Sequence, residues 1–172
     1  GNSPIIGNYW GAGQPDRVRF QFQQGLWLAL PMSIAVCCAI LLGIQLLERL
    51  DISPEVFRIA RGYLLPYLIT GFMFPAFFAF RSSFEGVGDT RPVMIFNAIA
   101  FFLNGILDYI LVFGKLGLPA MGGIGAAWAT TVVMTFLLFA MAAYGRYAGN
   151  MKRLRLYQQF AAPSAAAIVG IL

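Results

Sequence analysis

Four long internal stretches of this chain contain no Asp, Glu, Lys or Arg: residues 20–47, 62–80, 92–107 and 116–145, which are 28, 19, 16 and 30 residues long. The third continues past a single aspartate to Gly114. A helix crossing the hydrocarbon core of a bilayer needs about 20 mostly apolar residues at ~1.5 Å each, so every run is long enough, the third by including its Asp. Charged residues make up 11% of the chain, less than half the roughly one quarter usual in soluble domains. Transmembrane barrels alternate apolar and polar residues over strands of roughly ten residues, and these runs are continuous. The expected fold is all-α: a polytopic transmembrane helical bundle of about four complete spanning helices, with partial helices at both ends.

Composition removes several kinds of chemistry. There is no His, and the two cysteines, Cys37 and Cys38, are adjacent inside an apolar run, where they are expected to pack as small apolar groups. Zinc sites, His-ligated haem, CxxC redox chemistry and a Cys–His dyad therefore have no support, and no cofactor is expected. No nucleophile–base pair or phosphate-cradling GxxxxGK[ST] loop is present either, so an enzyme is not expected. The net charge of +5 does not point to nucleic acid, because the basic residues sit in short segments flanking the apolar runs. If four helices cross in turn, Arg17, Arg19, Arg81, Arg91, Arg146, Lys152, Arg153 and Arg155 share one side, against Arg49, Arg58, Arg61 and Lys115. The richer side should be cytoplasmic, leaving residues 48–61 and 115–123 outside.

Local signals place the helix ends. Ser53-Pro54-Glu55 offers an N-cap, a first-turn proline and an acid, so a helix should begin outside the bilayer and enter it near Gly62. Pro66 and Pro75 invite bends in that helix. Asp89-Thr90-Arg91-Pro92 is expected to cap the third span, which should run to Phe113 before Gly114. Residues 114–125 form a Gly-rich turn, and Gly122/Ala126 and Gly125/Ala129 set small residues four apart for close helix packing. Three regions follow: a transmembrane bundle over 1–145, a basic cytoplasmic connector over 146–160, and the start of another helix over 161–172. With no initiating Met and a final apolar run too short to span, the sequence reads as a piece of a longer chain.

Asp108 most needs explaining. An ionisable group in a spanning helix costs at least about 2.5 kcal/mol on insertion scales and so normally faces a bundle interior or wet cavity. It lies five residues before Phe113, about 8 Å inside the outer end, with Asn104 one turn deeper on the same face. If the fourth span begins near Gly125, Thr130 reaches the same depth from the neighbouring antiparallel helix. A carboxylate, an amide oxygen and a hydroxyl that converge suit a hard monovalent cation such as sodium, and burial, which penalises a charged carboxylate, suits the same group to carry a proton. Interhelical glue is the plainer alternative, but a permanent carboxylate is costly glue. With one carboxylate in the bundle, the full site needs ligands from elsewhere. A second polar group, Arg81, Glu85, Asp89 and Arg91, alternates bases and acids around glycines in the connection between the second and third spans. Ion pairs and caps are expected there; a gate is the bolder reading.

These residues together resemble the multidrug and toxic compound extrusion (MATE) family, in its NorM-like branch. The resemblance runs from Gly11-Ala12-Gly13 through Arg81, Glu85-Gly86, Gly88, Thr90 and Pro92 to Asn104-x-x-x-Asp108. It ends at Phe113-Gly114, Gly117, Pro119, Gly122 and Gly125-Ala126-Ala127-Trp128-Ala129-Thr130. It implies the end of helix 2, helices 3–6 and the start of helix 7 of a two-lobed, twelve-helix exporter, this chain being most of the N-terminal lobe. It also implies that Asn104, Asp108 and Thr130 match a cation site completed by an Asp on a first helix, which is missing here. The implied activity is antiport in a bacterial inner membrane: export of small amphipathic or cationic drugs against sodium ions or protons. The implied partners are membrane lipid and the second lobe of the same chain, the complete protein acting as a monomer. One departure stands out: NorM-type members carry an acid about two turns after the seventh-helix proline, and here Pro163 is followed only by Ser164 and apolar residues. Two alternatives remain: a lipid-linked oligosaccharide or polysaccharide flippase, for which a cationic cavity is lacking, and a non-transporting membrane subunit with Asp108 as an assembly contact.

Overall fold

The computed structural model describes residues 1–147, 152, 154, 156 and 160–171. Among the described residues six helices follow one another: α1 Asn2–Gly11, α2 Pro15–Arg49, α3 Pro54–Gly86, α4 Thr90–Phe113, α5 Gly123–Tyr147 and α6 Ala165–Val169. No strand occurs among the described residues. Helices α2 to α5 are each long and apolar enough to cross a membrane, so the fold is an all-α polytopic bundle. Most of the expected connector over 146–160, namely 148–151, 153, 155 and 157–159, lies outside the described residues, as does Leu172.

The local signals act largely as their chemistry dictates. Pro15 and Asp16 open α2, and Asp16 pairs with Arg19 at 3.1 Å. At α3 the Val56 amide donates to the Ser53 hydroxyl at 3.4 Å, with Pro54 and Glu55 in the first turn. Gly114 ends α4 at φ 66°, and any Cβ there would collide with the Ala120 backbone, so the turn requires glycine. Asp89 differs from expectation. It occupies the N-cap position of α4, yet its side chain makes no capping hydrogen bond.

A second correction concerns the connection between α3 and α4. The helix does not stop where its apolar run stops but continues through Arg81 and Glu85 to Gly86, leaving only Val87, Gly88 and Asp89 outside helices. The reason is local: Arg81 and Glu85 are four apart on one face, and Nε of Arg81 donates to Oε1 of Glu85 at 2.8 Å. Gly86 is a packing site. A Cβ there would lie 2.6 Å from Cγ2 of Ile6 and 2.9 Å from the Ser3 carbonyl. Of the small-residue pairs, Gly125 permits close approach, since a Cβ on it would lie 2.7 Å from the Leu111 backbone, whereas Gly122 has open space and serves the turn at φ 55°.

In lipid, packing and interhelical hydrogen bonds hold helices together, because acyl chains are as apolar as leucine. Here α3 is central and packs against α1, α2 and α5, while α4 leans on α5. Accordingly 33% and 39% of the apolar windows of α3 and α5 are buried, against 11% and 6% for α2 and α4. The densest packing lies at the basic end, where α1 meets α2 and α3 meets α4. Ile6, Phe22, Phe84 and Met141 are fully buried there, and the Phe22 and Phe80 rings meet edge to face at 5.0 Å. Further along the helices the contacts become polar. Ser33 donates to the Phe72 carbonyl at 2.8 Å, Cys37 to that of Leu68 at 3.4 Å, and the Thr70 and Thr131 hydroxyls meet at 3.0 Å. Cys38 is exposed on the surface of α2.

Candidate functional site

Asp108, Thr130 and Tyr67 occupy the half of the bundle away from the dense basic end. Asp108 stands on α4 five residues before Phe113, Thr130 on α5 seven residues after Gly123, and Tyr67 on α3 five residues after Gly62. Gly62 receives the Ile124 side chain from the first turn of α5, since a Cβ on it would lie 2.6 Å from Cδ1 of Ile124. Gly125 lets the backbones of α5 and α4 approach at Leu111, one turn from Asp108.

The Tyr67 hydroxyl lies 3.3 Å from the Tyr63 hydroxyl, with ring centroids 5.3 Å apart, and the Thr130 side chain and Asp108 belong to its electrostatic surroundings. Thr130 itself donates to the Ala126 carbonyl at 3.0 Å, which leaves its oxygen lone pairs for another partner. Oδ1 of Asp108 is buried with no hydrogen-bond partner. Buried polar atoms nearly always have one, so this carboxylate oxygen has unused capacity to accept a hydrogen bond or a ligand.

The residues expected from sequence are only partly joined. No hydrogen bond among the described residues links Asp108 to Asn104 or Thr130, so the interhelical-glue arrangement does not form. Asn104 lies one turn deeper and lines an open depression on α4 with Phe101, Phe102 and Tyr109. At the basic end Arg81 and Glu85 pair, and the Arg81 guanidinium lies 5.8 Å from the Phe78 ring centroid. Asp89 and Arg91 join no ion pair among the described residues. Tyr67 and Tyr63 are functional candidates that the apolar pattern does not single out. A depth count is the signal that finds Tyr67: five residues inward from Gly62, matching the five that separate Asp108 from Phe113, puts it near the carboxylate's depth, with Tyr63 one turn further out.

Among the described residues no three His, Cys, Asp or Glu cluster as a metal site would need. One carboxylate, a hydroxyl, a phenol and an amide nearby suit a singly charged ion or a proton better than a divalent metal.

The family described as MatE matches residues 1–110. Among curated proteins, the multidrug resistance protein NorM of Aliivibrio fischeri is 32% identical over 160 residues, covering 93% of this chain and 35% of that protein. NorM of Photobacterium profundum is 31% identical over 168 residues, covering 96% and 36%. The multidrug resistance protein MdtK of Yersinia pestis (strain Pestoides F) is 29% identical over 164 residues, covering 94% and 35%. The chain spans about a third of the length of these relatives.

Proposed function

Because this chain belongs to the MatE family, we propose that it forms most of one lobe of a secondary active exporter that expels amphipathic or cationic drugs in exchange for sodium ions or protons. The multidrug resistance names of the relatives support the substrate class, and their bacterial sources support a bacterial inner-membrane location. The observation that carries the coupling reading is the buried, unpartnered Oδ1 of Asp108. An ion at that oxygen would remove the cost of an uncompensated buried charge. If two conformations of the lobe offer it different ligands, ion occupancy shifts the balance between them, and that differential is what drives export. Asn104 and Thr130 are the ligands proposed to close on the ion with Asp108, and Tyr67 is added to them. Arg81 and Glu85 are assigned a structural rather than a gating role, since they form an exposed pair worth about 0–1 kcal/mol.

The test is Asp108→Asn in the full-length protein, reconstituted in vesicles with separately imposed sodium and pH gradients. The expected result is loss of gradient-driven drug efflux at normal protein level, and the effective gradient identifies the ion. Undiminished efflux would reject the coupling role; loss of assembly alone would favour the non-transporting subunit.

A further inference from the structure

At the basic end of α2, two adjacent glutamines and a tryptophan grip the main chain of a segment more than 130 residues away. Nε2 of Gln23 donates to the Leu156 carbonyl at 3.1 Å, and its Oε1 accepts from the Ala161 amide at 2.9 Å. Nε2 of Gln24 donates to the Ala162 carbonyl at 3.0 Å, and its Oε1 accepts from the Ser164 amide at 2.7 Å. One turn on, the Trp27 indole donates to the Ala161 carbonyl at 2.9 Å. All five bonds end on main-chain atoms, so the grip does not depend on the side chains of the held segment.

The fit is reciprocal. Gln23 and Gln24 are 1% and 0% exposed within an apolar helix, where an amide without partners costs several kcal/mol in hydrocarbon-like surroundings. Residues 160–164 are not helical, so their amides and carbonyls lack the internal partners that a helix provides. Each glutamine supplies one donor and one acceptor, and Pro163, between the two bonded amides, has no N–H to satisfy. Phe160, though 57% exposed, lines one side of an apolar groove with Leu26, Trp27, Leu30 and Phe72. Directly after Ser164, α6 begins.

We propose that Gln23, Gln24 and Trp27 form a main-chain clasp that anchors the segment leading to α6, so that displacement of α6 is passed to α2 instead of being taken up by a slack tether. The clasp stands independently of the drug-export reading, since it is read from these bonds alone. In an exporter it would make the exit from this lobe a fixed point about which the rest of the protein turns.

The test uses the full-length protein in nanodiscs and needs no transport. Hydrogen–deuterium exchange at the Ala161 and Ser164 amides should be at least tenfold slower than in an unstructured peptide. Gln23→Met and Gln24→Met, similar in size but unable to hydrogen-bond, should each speed exchange at their own amide about tenfold while leaving α5 unchanged. A nitroxide pair at Glu48→Cys and Ala165→Cys, with Cys37 and Cys38 replaced by Ala, reads the anchoring itself. The distance distribution should be narrow with both glutamines present and broad in the double Met variant. Should the double variant fail to fold, the unsubstituted glutamines still decide the matter by their amide protection and distribution width. Peptide-like exchange at Ala161 and Ser164, or equal distribution widths with and without the glutamines, would overturn the proposal.

Discussion

Gly125→Ala isolates the contact that holds α4 at the height of the site. The new Cβ would lie 2.7 Å from both C and O of Leu111. These are main-chain atoms, which no rotamer change can move aside. To reach an ordinary contact of about 3.4 Å, α4 must retreat from α5 by about 0.7 Å. Overpacking of this kind costs about 1–3 kcal/mol. The expected result is a lower melting temperature of the full-length protein. Asp108 stands one turn from Leu111, and the same retreat should draw its carboxylate away from Thr130 and Tyr67, lowering ion-driven efflux more than protein level. Gly105→Ala is the control. It lies on α4 with nothing within 4 Å of its Cβ position, and should change stability by no more than about 0.5 kcal/mol. Thermal melting of the full-length protein in detergent, alongside efflux from vesicles, gives both readings. Equal behaviour of the two alanine variants would refute the claim that the Gly125–Leu111 approach sets the position of α4.

Gly86→Ala should destabilise by about 1–3 kcal/mol by pushing α1 off α3; in a double-mutant cycle Ile6→Ala should recover part of that loss, but not all, since the Ser3 carbonyl clash remains. Thr131→Val should cost about 1 kcal/mol in chemical or thermal unfolding, because Thr70 loses its buried partner and the Pro66 carbonyl a 3.1 Å contact. Arg81→Gln and Glu85→Gln, by contrast, should each shift stability by less than about 1 kcal/mol and leave efflux intact; loss of efflux at normal protein level would restore the gate reading.

The four long helices were legible because absence of charge over 16 to 30 residues is a strong signal in its own right. Charge, however, marks where a helix leaves lipid, not where it ends. That is why Arg81 and Glu85 looked like loop residues while they form a helical ion pair. Asp108 stood out because it is the one acid within a spanning run, whereas Tyr67 sits in a run with Phe and Tyr on every side, and its meaning comes only from which helix faces it. The glutamine clasp was hidden for a similar reason. Gln23 and Gln24 look like ordinary polar residues near a helix end, and their partners are main-chain atoms that any sequence would supply.

Thr130 and Thr131 are neighbours on α5, so their side chains diverge by roughly 100° around the axis. Thr131 is tied to Thr70 and thereby to α3, while the Thr130 hydroxyl donates to the Ala126 carbonyl of its own helix. A turn of α5 about its own axle would have to break the buried Thr70–Thr131 hydroxyl pair, so the pair acts as a key that locks one rotational setting of α5 against α3.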